Sequence, residues 1–269
     1  MTAADLFGRR RALVGMIHVA ALPGTPRAEL PVREAAARAA AEARILADAG
    51  FDALILENMH DVPFLRREVG PEIVAAMTAV GEAVRTAVDL PLGFQVLAGA
   101  NRAAVAVAHA VGGRFVRAEG FVFAAVADEG VLDEADAGPL LRYRRAIGAD
   151  AVRVIADVKK KHSAHALTAD VDLPETAKAA EFFGADGVVV TGTATGAATA
   201  EEDVAAVRAA VGVPVAVGSG VTPETAAGML AHADALIVGS WYKEGGHWAS
   251  PPDPERAREL VRAVEAARA

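Results

Sequence analysis

The chain of 269 residues carries 27 Lys+Arg against 35 Asp+Glu, a formal net charge of −8, with 53% hydrophobic residues, 5% aromatic residues and no cysteine. The absence of cysteine excludes a disulfide framework, thiolate metal sites, iron–sulfur clusters and a cysteine nucleophile, and the acidic balance argues against a broad nucleic-acid surface, which needs Lys/Arg clustered against phosphate. No apolar run approaches the ~20 residues that span a bilayer, and the basic start MTAADLFGRRR lacks a small-residue cleavage site; a single-domain cytoplasmic protein without an integral membrane segment is expected, with a homo-oligomer left open.

Taken in chain order, eight short aliphatic runs read as strands: Ala12–Val19, Ala53–Asn58, Leu92–Leu97, Phe115–Phe121, Val152–Val158, Gly187–Thr191, Val213–Gly218 and Ala235–Ser240. They lack polar alternation, as parallel strands buried on both faces do. Between them lie Ala/Glu/Arg-rich stretches with helix start and stop signals. Pro31 and Pro71 sit where a first turn tolerates a missing N–H, and Gly50 follows Ile45–Ala49 as a left-handed cap. Asp172 with Glu175 and Thr199 with Glu202 read as capping pairs, and Thr222-Pro223-Glu224 and Asp253-Pro254-Glu255 open the last two helices. One βα unit recurs about every 32 residues, the count and size of a (β/α)8 barrel; a doubly wound open sheet, the structural rival, would use fewer units. The turn before a strand also repeats, as Phe51-Asp52-Ala53, Ala149-Asp150-Ala151, Ala185-Asp186-Gly187 and Ala233-Asp234-Ala235. Either weak internal duplication or the general liking of such loops for Asp accounts for it.

In a barrel the chemistry sits at the C-terminal strand ends. Alternate residues point inward, which aligns Val14, Met16 and His18; Ala53, Ile55 and Glu57; Gly93, Gln95 and Leu97; Phe115, Arg117 and Glu119; and Arg153, Ile155, Asp157 and Lys159. Five aliphatic runs thus end in polar groups in register with one face, and burying charge costs several kcal/mol unless it is paired or used. Arg117 with Glu119 reads most simply as an ion pair across one pleat. Asp157 and Glu57 are the candidates for general acid–base chemistry, His18 and His162 for assisting proton transfer, and Lys159 or Lys161 for stabilising an oxyanion, with Glu119 also a catalytic candidate. Replacing Asp157 by Asn is then expected to leave melting unchanged or slightly raised while turnover falls. Lys159–His162 also form an anion-attracting rim.

The last three strands end in Thr191-Gly192-Thr193, Gly218-Ser219-Gly220 and Gly239-Ser240. Glycine lets backbone N–H groups approach a ligand, and barrels frequently bind phosphate with the loops after strands seven and eight. A phosphorylated small molecule is therefore the expected partner, with Asn58, Gln95 and Arg117 as further substrate contacts. The segment Trp241–Trp248, with Lys243, is either rim or lid. No cofactor is indicated with certainty; a divalent-metal hydrolase using His18, Glu57, Glu119, Asp157 and His162 remains an alternative, although no compact ligand motif is present.

Val14-Gly-Met-Ile-His18-Val with Leu22-Pro-Gly-Thr-Pro26, and Leu56-Glu57-Asn58-Met-His-Asp61-Val-Pro63-Phe64, resemble the signatures of the BtpA/SgcQ family. The resemblance continues through Ala156-Asp157-Val with Lys161-His162, Asp186-Gly-Val-Val-Val-Thr191-Gly192, Val217-Gly-Ser-Gly-Val-Thr-Pro223 and Ile237-Val-Gly-Ser240. It implies a ribulose-phosphate-binding type of barrel and leaves two roles open: an enzyme on a sugar phosphate or nucleoside-like metabolite (an isomerase, a lyase or a glycosidic-bond-cleaving enzyme), or a non-catalytic assembly factor of the kind needed for photosystem I. Leu97-Ala-Gly-Ala-Asn101-Arg102 and Arg117-Ala-Glu119-Gly depart from the family's usual runs after the third and fourth strands, which implies a shifted specificity on that side.

Overall fold

Every one of the eight aliphatic runs forms a strand in the computed structural model, which describes residues 1–192 and 199–269. Thr193 of the predicted glycine turn lies outside the described residues. In chain order the elements are α1 (Ala3–Phe7), β1 (Ala12–His18), α2 (Val32–Ala49), β2 (Ala53–Glu57), α3 (Pro71–Ala87), β3 (Leu92–Gln95), α4 (Asn101–Val111), β4 (Phe115–Ala118), β5 (Ala125–Ala127), β6 (Gly130–Leu132), α5 (Ala137–Ala146), β7 (Arg153–Val158), β8 (Ser163–Ala164), α6 (Leu173–Phe182), β9 (Gly187–Thr191), α7 (Glu201–Ala210), β10 (Val215–Gly218), α8 (Pro223–His232), β11 (Ala235–Val238) and α9 (Pro254–Arg268). The parallel strands run β1-β11-β10-β9-β7-β4-β3-β2 and close, because β1 pairs with both β11 and β2. That closure excludes the open-sheet rival.

The period-two phase of each strand separates two cores. Val14 and Met16, Ala53 and Ile55, Phe115, Ile155, Val189, Ala216, and Ala235 with Ile237 fill the barrel interior, while the alternate residues meet the helices. Gly93 makes room inside: a Cβ there would lie 2.3 Å from the Phe115 ring. Outside, α2 presents Ala35, Ala36, Ala39, Ala40, Ala43 and Leu46 to the sheet, a small-residue stripe at helical spacing that lets the helix approach closely.

The short helix α1 closes the N-terminal end of the barrel. Its start is a capping box, the Thr2 hydroxyl accepting from Asp5 N at 3.3 Å and the Asp5 carboxylate accepting from Thr2 N at 2.8 Å. Leu6 and Phe7 are fully buried, and the Phe7 ring meets Phe115 edge-on at 5.2 Å. The repeated Asp turns have a physical cause at this same end. Asp52 accepts from Leu13 N at 2.7 Å, Asp186 from Val154 N and Asp234 from Val215 N, both at 2.9 Å, so each carboxylate clasps the start of the neighbouring strand. Each also faces an arginine: Arg268 for Asp52, Arg144 for Asp186 at 3.0 Å and Arg208 for Asp234 at 2.8 Å. The fourth, Asp150, instead pairs with Arg145.

Asp172 caps α6 as expected, accepting from Glu175 N at 2.8 Å. Thr199 does not cap α7, whose N-cap is Ala200; its hydroxyl donates to the Gly218 carbonyl at 3.0 Å and so ties the segment before α7 to the end of β10. One element without a counterpart in the sequence pattern is the antiparallel sheet β6-β5-β8. Its strands are two or three residues long, below the length at which periodicity registers. Lys160 joins it to the barrel, 2.9 Å from Glu129 and 3.6 Å from Glu119.

Candidate functional site

The inward face that carries aliphatic residues through the barrel continues at the C-terminal ends as His18, Glu57, Gln95, Arg117, Asp157 and Thr191. His18 is in register with Glu57, and Glu57 with Gln95. A cavity of about 150 Å³ opens at this mouth, lined by His18, Glu57, Arg117 and Lys161 together with Ser219–Thr222 and Gly239–Trp241.

Two of the predicted residues form a tight pair. Arg117 Nε donates to Asp157 Oδ1 at 2.7 Å and Nη2 to Oδ2 at 3.0 Å, with both side chains buried. Burial disfavours the Arg117 charge, but the Asp157 carboxylate outweighs it and holds the guanidinium above its ordinary value. The expected pairing of Arg117 with Glu119 is thus corrected. Glu119 lies beyond the end of β4, where its carboxylate accepts from Gly99 N at 2.8 Å and faces Lys160, away from the cavity. Both oxygens of Asp157 are committed to Arg117, whereas Glu57 stands at the cavity wall.

Burial raises the Glu57 carboxyl above its ordinary value, with Lys161 and Arg117 opposing the rise. Burial, assisted by Lys243, pushes His18 well below its own. Their side chains approach to 3.5 Å between Glu57 Oε2 and His18 Nε2. The Trp248 carbonyl, which can only accept, lies 2.9 Å from His18 Nδ1. Nδ1 therefore carries the imidazole proton and Nε2 turns its lone pair toward Glu57. Burial thus pushes the imidazole toward its neutral form and the carboxyl toward its protonated form, the direction a proton-transfer pair needs. Gly239 makes room for it, since a Cβ there would lie 3.0 Å from His18 Nε2.

A backbone turn lines the same cavity. Ser219 and Gly220 are successive residues at positive φ, 73° and 66°, immediately before α8, whose N-cap is Thr222. Successive N–H groups of such a turn at a helix N-terminus converge on an anion. Among the described residues, three buried side-chain atoms have no hydrogen-bond partner: Gln95 Oε1, Thr191 Oγ1 and Ser219 Oγ. All three sit at or just past C-terminal strand ends, and a buried polar atom left unpaired costs free energy; of the three, Ser219 lines the cavity. Ser240 lines the same cavity. Gly218 ends β10, and a Cβ there would lie 3.7 Å from Arg117 Nη2. Gly192 follows β9, beside the residues not described.

The remaining predicted residues divide. Lys161 lines the cavity, and burial with Arg117 beside it lowers its amine below the ordinary value. Lys159 turns away and donates to the Thr168 carbonyl at 3.2 Å. His162 stands on the rim, 3.8 Å from Asp128. Asn58 is scaffold: it accepts from Leu97 N at 2.7 Å and donates to Asp61 at 2.8 Å, and Asp61 in turn accepts from Leu22 N at 2.8 Å. The five residues of the metal alternative are therefore spread over the mouth, and among the described residues no three His, Asp or Glu side chains are placed to hold a metal ion. Sequence reasoning missed Glu42 and the placement of Lys243. Lys243 is buried 3.2 Å from Glu42, and Tyr242 donates to the Met16 carbonyl at 2.6 Å and to Glu42 at 3.1 Å.

A closed (β/α)8 barrel whose C-terminal mouth gathers titratable side chains and glycine turns defines the class of TIM-barrel proteins. Within it, the chain belongs to the BtpA family, whose profile matches residues 9–266. An uncharacterized mitochondrial protein of Caenorhabditis elegans is 43% identical, with 96% of this chain and 95% of that one covered. The Photosystem I biogenesis protein BtpA of Synechocystis is 33% identical, with 96% and 89% covered. Among solved structures, the barrel is similar to (S)-3-O-geranylgeranylglyceryl phosphate synthase from Thermoplasma acidophilum in complex with its substrate sn-glycerol-1-phosphate (TM-score 0.64, 16% identity, 99% of each chain). It is also similar to tryptophan synthase from M. tuberculosis (TM-score 0.59, 19% identity, 95% and 93% covered). At these identities the likeness is one of fold.

Proposed function

We propose that this barrel binds a small phosphorylated metabolite at its C-terminal mouth and performs acid–base chemistry on it. The phosphate is seated by the Ser219–Thr222 turn and by Gly239–Ser240, and the Glu57–His18 pair moves the proton. One observation carries the reading: Ser219 and Gly220 form a positive-φ turn at the start of α8, with a buried Ser219 hydroxyl lacking a partner, and line one cavity with Glu57, His18 and Lys161. Arg117, fixed by Asp157, adds a cation at the same cavity, so Asp157 acts as a positioning residue and Glu57 as the acid–base group. Gln95 Oε1 and Thr191 Oγ1 are acceptors for the hydroxyls of a sugar-like ligand. The similar fold of a phosphate synthase holding sn-glycerol-1-phosphate supports a phosphorylated ligand. An assembly role like that in the name of the Synechocystis relative gives no use for the proton-transfer pair. No helix among the described residues is long and apolar enough to cross a membrane.

Inorganic phosphate at millimolar concentration is expected to raise Tm relative to chloride at equal ionic strength, since a ligand that binds only the native state stabilises it. Gly220→Val places a β-branched side chain at φ 66° and is expected to abolish the rise while leaving a cooperative transition. Equal rises in the two proteins overturn the proposed phosphate seat.

A further inference from the structure

The chain has five lysines, and four of them do not line the cavity of the mouth. Lys159 donates to the Thr168 carbonyl, Lys160 to Glu129, Lys178 to Glu175 on α6, and Lys243 is buried against Glu42. Lys161 is the lysine that lines the cavity, together with Glu57, His18, Arg117 and the Ser219–Thr222 turn. An amine withdrawn from water and set beside another cation is the arrangement that turns lysine into a nucleophile toward carbonyl carbon. The Glu57 carboxyl, which burial pushes toward its protonated form, lines the same cavity and is placed to serve as the acid for the departing oxygen.

We propose that Lys161 forms an imine with the carbonyl carbon of a phosphorylated aldehyde or ketone. The inference rests on the phosphate seat proposed above and names the substrate class it serves. In the addition, the nitrogen lone pair forms the C–N bond and the carbonyl oxygen becomes the hydroxyl of a carbinolamine, taking one proton from nitrogen. That hydroxyl then takes the Glu57 proton and leaves as water, and the nitrogen lone pair closes the C=N bond. The products are a protonated imine, one water and ionised Glu57. No electrons are gained or lost overall. The positive nitrogen draws electrons from the neighbouring C–H or C–C bond, and the Glu57 carboxylate, beside His18 Nε2 at 3.5 Å, is left as the base that takes up a proton. The lowered value of the Lys161 amine, from burial and then Arg117 against the pull of Glu57, Asp157 and Glu119, agrees with this role.

Reductive trapping tests it. The full-length protein is incubated with dihydroxyacetone phosphate or glycolaldehyde phosphate and cyanoborohydride, and the labelled lysine is located by peptide fragmentation. An adduct of the probe mass less one oxygen is expected on Lys161. The label should be lost in Lys161→Arg, which keeps the charge but forms no imine, and should be much weaker with unphosphorylated dihydroxyacetone or glycolaldehyde. Label scattered over the other lysines, or none, while phosphate still raises Tm, overturns the imine and leaves the phosphate seat standing. Equal labelling by phosphorylated and plain probes overturns the proposed substrate class. If phosphate fails to raise Tm, the seat falls, and with it the inference.

Discussion

At the N-terminal end of the barrel Asp52, Asp186 and Asp234 each accept a strand N–H and face an arginine, and α1 seals the interior with Leu6 and Phe7. At the C-terminal end the same strands finish in Gln95, Thr191 and Ser219 oxygens without partners and in a Glu57–His18 pair, each member pushed by burial toward its neutral form. Among the described residues, one end satisfies its polar groups, while the other leaves three oxygens unpaired, of which Ser219 Oγ borders the cavity. Polar groups kept buried at such a cost belong to binding or chemistry more than to folding, so substitutions at the two ends should separate turnover from stability.

The largest effect is expected at the mouth. Under the proposed function, Glu57→Gln removes the acid–base group and should lower turnover of any substrate found by screening by about 10²- to 10⁴-fold, the usual scale for one such group, while Tm is retained or rises. Steady-state kinetics with parallel calorimetry checks both halves, and a fully active variant would place the chemistry elsewhere.

Asp157→Asn sharpens the contrast, because it lies at the functional end yet behaves as structure. The expectation from sequence, that melting would be unchanged or slightly raised, holds for a carboxylate without a dedicated partner. With both oxygens on the buried Arg117 guanidinium, removing the charge strands Arg117, and breaking one member of a buried pair costs about 3–5 kcal/mol. The double variant Arg117→Met with Asp157→Leu should recover much of that loss in urea unfolding, although not the activity. A single variant as stable as wild type would return Asp157 to the acid–base role.

A smaller effect is expected at the other end. Asp234→Ala leaves Val215 N and Arg208 without their acceptor, which should cost about 1–3 kcal/mol and leave binding and turnover untouched. Loss of activity without loss of stability there would contradict the division between the ends.

Much of this division was legible in the sequence. The eight strands and their spacing follow from continuous aliphatic runs, and the alternation of side chains along any strand then gives the inward phase that brings His18, Glu57, Arg117 and Asp157 to one mouth. What one strand cannot tell is which neighbour its charge meets. Arg117 shares a strand direction with Glu119, but β4 is in register with β7, Arg117 opposite Ile155, so its partner is the residue two further along β7. Glu119 has already left the sheet and follows the loop to Gly99. Glu42 reads as an ordinary helix-surface carboxylate on α2 and is covered only because the segment after β11 folds back over it, with Lys243 in contact. Such burial comes from tertiary packing and has no local pattern. Helix α1, held by the Thr2–Asp5 capping box, has no counterpart in the sequence pattern, because a five-residue helix is below the length at which periodicity speaks.

The smallest effect is a pH dependence, and its sign separates a merely buried Glu57 from a salt-bridged one. Burial raises this carboxyl from its ordinary value of 4.5, so the folded protein holds the Glu57 proton more tightly than the unfolded chain. Below the unfolded value both states are protonated and the group is neutral in the balance. As pH rises past 4.5 the unfolded chain releases its proton first, and stability falls until the folded carboxyl also ionises at its raised value. Glu57→Gln removes this loss. The Tm difference, variant minus wild type, should therefore be smallest in acid, grow as pH passes upward through the ordinary carboxylate range, and level off above the raised value. The other groups that act on Glu57, namely His18, Lys161, Arg117, Asp157 and Lys243, are common to both proteins and largely cancel in the difference. A difference that instead favours wild type with rising pH would mean that Lys161 and Arg117 outweigh desolvation at Glu57; the carboxyl would then be ionised when the ligand arrives, and would act as a base without first serving as an acid.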